Sequence, residues 1–463
     1  MALNEDSGIL FDVVINGGHL VLENGIIEGS IGIKNGKIAA LLDPAIDFKT
    51  KNVIDCTGRV VFPGLIDPHV HLWDPGSKNY REDFLHGTQA AAAGGVSTII
   101  EMPLSIPPVV DRESFELKQN LANKDAVIDF ALWGGLIPTS IDKLEEMHQL
   151  GCVGYKAFIS YASKDYPHTP DFELWKAMGN IADFGGLVGI HAENADITEK
   201  FGKELERANV LHPEAHADGR PEIAELEAVQ RAILFAEQTG CKLYLVHLSL
   251  PESVAMVRRA RERGIKVYSE TCHHYLLFDR SSLSKHGSFI KCNPPLRSTE
   301  AVEGLWKDIF NGHIDCIGSD HGPYTDTEKT EGEDNIWKAP SGFGGIELML
   351  PVLLHEGYHK RNLDLETIAR VTSTNAAKIF GLYPQKGAIR IGADADLTVV
   401  DLNETWSYDA LKSFSKTKSE SSPYHNKQFK GKVKTTLVRG IPVYQENEIK
   451  AKPGYGSFIS YNH

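Results

Sequence analysis

The chain has 463 residues, of which 42% are apolar and 24% charged, with 42 glycines and 22 prolines. That balance excludes collagen-like, disordered and low-complexity classes and leaves room for one large domain plus an accessory one. Its 62 acidic residues outnumber 48 basic ones, a formal net charge of −14 that would repel a polyanion such as nucleic acid.

Met1 to Leu10 carries no basic stretch followed by an apolar core. No window approaches about 18 uninterrupted apolar residues either, so a cytoplasmic protein without a membrane segment is expected. Residues 1 to 60 have the texture of short strands. "FDVVINGGHLVL" (11–22) is rich in β-formers, and Asn35-Gly36 between the alternating halves of "GIKNGKIAA" is a strong hairpin signal.

From 61 to 385 the rhythm changes, and short apolar runs alternate with helix-length amphipathic stretches. Eight runs stand out: "VVFPGLIDPHVH" (60–71), "VSTIIEMPL" (96–104), "VIDFALWGG" (127–135), "GYKAFIS" (154–160), "GLVGIHAEN" (186–194), "KLYLVHLS" (242–249), "IKVYSETCHHY" (265–275) and "IDCIGSDHG" (314–322). Helical patterns follow, among them "SIDKLEEMHQLG" from Ser140, "ESVAMVRRARERG" after Pro251, and "TEAVEGLWKDIFNG" with Thr299 as the expected N-cap.

Strand then helix, repeated eight times, predicts an α/β protein built on a parallel, TIM-like (β/α)8 barrel. Parallel neighbours need crossover helices, and strands buried on both faces read as apolar throughout. The rival is an open doubly wound sheet. No GxGxxG follows the first strand, however, and "SGFGGIE" (341–347) follows a loop. Residues 386 to 463 return to strand texture in "DADLTVVDL" (394–402) and "VKTTLVRGIPVY" (433–444), so both chain ends are expected to form one small β-sandwich. Six cysteines are scattered without a CxxC pair, which fits free thiols packed in a reducing compartment.

Metal-competent side chains recur at one end of these runs. His69 and His71 end the first, Lys156 lies in the fourth, His191 in the fifth, His247 in the sixth and Asp320 in the eighth. C-terminal strand ends are the face on which barrel enzymes assemble active sites. Residues i and i+2 of a strand point the same way, so His69 and His71 can reach one ion together. An isolated HxH is more often incidental, and a lone His191 or His247 more often a satisfied core histidine. Their concurrence at equivalent ends of separate runs favours a shared metal site.

An ammonium at Lys156 would repel a metal, but "GYKAFIS" is an apolar strand, and a buried neutral amine can add CO2. The carbamate so formed has two oxygens, one for each of two ions about 3.5 to 4 Å apart that acidify water and polarise a carbonyl. Asp320 would bind one ion, take the proton of the attacking water and hand it to the leaving nitrogen.

With "PGLIDPHVHLWDPG", "GYKAF", "HAEN", "VHLS", "SETCHHYL", "IKCNPPLRS" and "GSDHGPY" together, the chain resembles, end to end, the cyclic amidohydrolases of the amidohydrolase superfamily. That group contains hydantoinases, dihydropyrimidinases, allantoinases and dihydroorotases. The resemblance implies that His69 and His71 bind the first metal, His191 and His247 the second, that Lys156 is carboxylated and bridging, and that Asp320 is catalytic. Zinc is the expected ion, with Mn, Co and Fe suited to the same donors. A homo-oligomer, dimer or tetramer, is implied too, with a small-molecule substrate and no organic cofactor.

Dihydroorotases carry an arginine where this chain has Trp73, which disfavours that branch. "IEMPLSIPPVVDRESFELK" and "KCNPPLR" resemble allantoinases, whereas "FALWGG", "MHQLGCVGYK" and "DNIWKAPSGFGGIELMLP" resemble hydantoinases, notably the L-selective type. Tyr161 matches the tyrosine with which dihydropyrimidinases and D-hydantoinases stabilise the oxyanion, a position that allantoinases usually fill otherwise. Asn293 and Ser341 match positions that contact the ring amide in hydantoinase relatives. The expected function is hydrolysis of the ring amide of a five-membered cyclic ureide, first allantoin to allantoate as in purine catabolism. The alternative is a hydantoinase giving an N-carbamoyl amino acid, ahead of a dihydropyrimidinase. A non-catalytic scaffold is the reading from another class, and the filled ligand positions weigh against it.

Overall fold

A computed structural model describes residues 10–43, 46 and 48–461. Of the segments expected to form the β-domain, residues 1–9, 44, 45, 47, 462 and 463 lie outside the described residues. Eight parallel strands make one sheet in chain order: β1 (Leu65–Val70), β2 (Val96–Glu101), β3 (Asp129–Gly135), β4 (Gly154–Phe158), β5 (Leu187–His191), β6 (Lys242–Leu245), β7 (Val267–Cys272) and β8 (Cys316–Gly318). The first and last meet at a short seam, where Val70 bridges His321 and the His71 N–H donates to the His321 carbonyl at 2.8 Å. Crossover helices such as Phe84–Ala93, Arg112–Asp125, Glu222–Thr239 and Pro251–Glu262 cover the outside, as parallel pairing requires.

Two local expectations are corrected. Helix Thr299–Phe310 is capped by Ser298, whose hydroxyl accepts from the Ala301 N–H at 3.3 Å, not by Thr299. Thr299 is drawn aside because its hydroxyl donates to Asp279 at 2.7 Å. The first apolar run is two strands, not one. Val60–Pro63 pairs antiparallel with the strand Leu397–Ser407, and only after Gly64 does the chain enter the barrel as β1. A Cβ at Gly64 would lie 2.3 Å from the Ser97 hydroxyl, so the crossing between domains passes where only glycine fits.

The barrel interior is a packed core, not a pore. Trp133 on β3 is fully buried, donates its indole N–H to the Pro68 carbonyl at 3.0 Å, and packs its ring against Gly154 at the start of β4 and Gly189 in the middle of β5. Ile66, Ile100, Tyr244, Cys316 and Phe380 belong to the same buried cluster. All six cysteines are buried free thiols.

The chain ends meet in one β-domain. Among the described residues its nine strands form a continuous hydrogen-bonded sheet in which Leu10–Leu22 pairs with Gly25–Lys34, Lys49–Asp55 and Val60–Pro63, and Leu397–Ser407 pairs with Gln428–Val438. The hairpin turns at Asn35 and Gly36, both with positive φ, 50° and 76°. Val13, Ile15, Ile31, Val61, Leu397 and Leu437 are among the side chains of its own small core. No helix among the described residues is long and apolar enough to cross a membrane.

Candidate metal centre

His69, His71, Lys156, Tyr161, His191, His247, Asn293, Asp320 and Ser341 all line one cavity of about 540 Å³ at the C-terminal ends of the barrel strands. Every site residue expected from the sequence therefore faces one space. The tightest group is His69, His71 and Asp320, whose donor atoms lie within 4.8 Å of one another. Asp320 Oδ1 is 3.2 Å from His69 Nε2 and 3.3 Å from His71 Nε2. His191 and His247 stand beside this group, their rings 4.5 Å apart, and His247 is 5.2 Å from His69.

Backbone strain helps aim these groups. Trp73, His247 and Asp320 have φ of 61°, 39° and 48°, in the left-handed region that non-glycine residues enter only where neighbours hold them. Each sits just past a strand end, where leaving the strand's course turns its side chain into the cavity. The His247 N–H is fixed by Glu270 Oε1 at 3.0 Å, and the Leu72 N–H, next to His71, by Glu101 at 3.1 Å.

Electrostatics favour cation binding. Burial, seconded by the Lys156 charge at His69 and by the His191 and then Lys156 charges at His247, holds both well below the ordinary imidazole range and favours the form that offers a lone pair. Burial would raise Asp320, yet the imidazoles of His69, His71 and His247 outweigh it and hold the carboxyl well below its usual value. Burial also pushes Lys156 down to about 8 against the pull of Asp320 and Glu270. Among the described residues its Nζ has no hydrogen-bond partner, nor do His69 Nε2 and His247 Nδ1, although all three are buried. Buried polar atoms left unpaired in this way are costly unless something occupies the space between them. The donor set of nitrogen and carboxylate oxygen suits zinc and its first-row neighbours.

Sequence reasoning missed the residues behind these ligands. Glu270 in β7 contacts His69 Nδ1 at 2.8 Å and accepts from the Tyr244 hydroxyl at 2.9 Å. Glu193 lies 2.7 Å from His191 Nε2, and Lys118 donates to Glu101 at 2.9 Å. Each glutamate was visible as a lone carboxylate in or directly after an apolar run, a signal of a buried, partnered charge. Tyr161, half exposed at the cavity edge, contrasts with Asn293, whose Oδ1 is buried without a partner.

The amidohydrolase family model matches residues 60–443. An allantoinase of Deinococcus radiodurans is 40% identical over 446 residues, covering 96% of this chain and 97% of that protein. An L-hydantoinase of Paenarthrobacter aurescens is 35% identical, with 97% and 98% covered. Among solved structures, an L-hydantoinase (dihydropyrimidinase) from Arthrobacter aurescens superposes with a TM-score of 0.95 at 35% identity, covering 97% of this chain and all of that one. A D-hydantoinase superposes with a TM-score of 0.91 at 33% identity, covering 97% of this chain and 98% of that one. With the family pattern spanning both the barrel and much of the chain-end sheet, this chain belongs to the amidohydrolase family.

Proposed function

We propose that this protein opens the ring amide of a five-membered cyclic ureide, with allantoin to allantoate as its main reaction. The observation that supports this most is the convergence of four imidazoles, the unpartnered Lys156 amine and the Asp320 carboxylate in one cavity. His69, His71 and Asp320 would hold one divalent ion and His191 and His247 a second, zinc first and Mn, Co or Fe as substitutes. Lys156, as a carbamate formed with CO2, would lie between them. Bound there, the ions would acidify a water and polarise the ring carbonyl.

Asp320 would accept the proton released as water adds to the amide carbon and deliver it to the ring nitrogen as the C–N bond breaks. The Tyr161 hydroxyl would donate to the oxyanion formed on that carbon, with Asn293 and Ser341 orienting the ring amide. The barrel, 61–385, would carry this chemistry, while segments 1–60 and 386–463 brace it. A cytoplasmic homo-oligomer, dimer or tetramer, completes the proposal.

Relatives named allantoinase at 37 to 40% identity favour allantoin as substrate. The superposition with L-hydantoinase supports hydantoins as the second reading. A side-by-side rate comparison on allantoin, hydantoin, 5-substituted hydantoins and dihydrouracil, with metal analysis of the same sample, tests both. The expected result is the highest kcat/KM on allantoin and about two ions per chain. Dihydrouracil as clearly the best substrate would overturn the assignment, and a chain that binds no metal would point to a scaffold.

A further inference from the structure

Two stretches already noted, "HAEN" and "PPLRS", carry buried charges that the proposed reaction leaves unused. Glu193 is fully buried, with Oε2 2.7 Å from His191 Nε2. A carboxylate accepts, so this nitrogen carries the hydrogen and Nδ1 is the one left to bind an ion. Arg220 grips the same carboxylate with both prongs, Nε to Oε1 at 2.9 Å and Nη2 to Oε2 at 2.5 Å. Its side chain reaches the cavity wall.

A second arginine–glutamate couple, Arg297 with Glu225 at 3.5 Å, meets at Ser249. Arg297 donates from Nε to the Ser249 hydroxyl at 3.0 Å, two residues beyond His247, and Glu225 accepts from the Ser249 N–H at 3.2 Å. Arg297 Nη1 donates to the Arg220 carbonyl at 2.7 Å, which ties the two couples together. His69 is supported differently. Its carboxylate, Glu270, is held by the Tyr244 hydroxyl and the His247 N–H, with no guanidinium among the described residues bonded to it.

We propose that Glu193 and Arg220 are positioning residues for the second ion alone, fixing His191 with Nδ1 toward the cavity. This rests on the reading above that His191 and His247 share an ion. Without Arg220, Glu193 would be a buried carboxylate stripped of its counter-charge, a state costly enough to pull it away from His191. The imidazole would lose its orientation while His69, His71 and Asp320 kept theirs.

The test titrates apo-protein with Zn²⁺ against a chromophoric chelator, which resolves the two binding steps. His247→Ala identifies the step that belongs to the second ion. In Arg220→Met that same step should weaken about 10- to 100-fold, with the other held within about threefold. Arg220→Lys should recover part of the loss, since an ammonium restores charge but not the two-pronged grip. Both steps falling together, or neither moving, would overturn the proposal, because a merely structural arginine would act on both. Should Arg220→Met fail to fold, Glu193→Gln is judged by the same criterion, as its amide nitrogen would face the Arg220 donors. A wild-type chain that binds only one ion would overturn the underlying two-ion reading, and this proposal with it.

Discussion

Glu270 has contacts in both halves of the candidate centre, touching the His69 ring at 2.8 Å and the His247 backbone at 3.0 Å. Both contacts converge on Oε1, while the Tyr244 hydroxyl takes Oε2, so a glutamine either faces them with its NH2 or keeps its oxygen there with the negative charge gone, and both contacts weaken. Glu270→Gln is expected to lower kcat/KM on the preferred substrate about 10- to 100-fold and to weaken both Zn²⁺ binding steps. An unchanged zinc titration would show that the ligands hold their places without it. Ligand candidates such as His69, Lys156 and Asp320 could be picked from sequence because metal-competent side chains in or directly after apolar runs fall at one end of a barrel. Arg220 could not. It lies 27 positions from Glu193, and only the folded barrel brings the two together.

At the level of elements, the loops after β1 and β8 share a wall of the cavity. The Arg81 guanidinium lies 4.7 Å from the Trp73 ring and 4.3 Å from that of Tyr324, and its Nε donates to Glu328 at 2.8 Å. Tyr80 donates to the same carboxylate at 2.7 Å. Burial would raise Glu328, but the Arg81 and Tyr80 hydrogen bonds prevail and bring it down to about 2. A carboxylate with a lowered folded pKa stabilises above its unfolded value, here 4.5, and loses that contribution as pH falls toward 2. Glu328→Gln should therefore cost about 0.5 to 1 kcal/mol at pH 7, a modest figure because the pair is partly solvated. The gap from wild type in urea unfolding should narrow steadily below pH 4.5; a gap that stays constant with pH would mean the ion pair contributes nothing. The barrel strands themselves were legible as apolar runs. The break at Gly64 was not, since both halves of that run are apolar and only their pairing partners differ. Ser298 and Thr299 offer equivalent capping hydroxyls, and a distant residue, Asp279, decides between them.

Across the whole molecule, the barrel and the chain-end sheet are joined at the end opposite the candidate metal centre. Lys386 is almost fully buried and pairs with Asp129 at the start of β3 at 2.6 Å, with Asp394 at 3.0 Å and with Asp396 at 2.7 Å. Arg439 also pairs with Asp129, whose carboxylate accepts from the Ser457 N–H at 3.0 Å as the tail docks beside β3. A β-domain assembled from two remote chain segments must be closed by contacts of this range, and no local pattern announces them. Only the matching strand texture of the two ends made their pairing legible. Burial would lower Lys386, but the three carboxylates outweigh it and raise its pKa, so the cation persists throughout neutral pH. Lys386→Met would leave Asp129, Asp394 and Asp396 buried with less compensating charge, an expected loss of about 3 to 5 kcal/mol. Guanidinium unfolding followed by tryptophan fluorescence measures it as a lower midpoint. Because the cluster lies at the strand starts, metal content and kcat of the remaining folded protein should match wild type. Wild-type stability in Lys386→Met would mean that solvent reaches these carboxylates, and that apolar packing alone holds the two domains together.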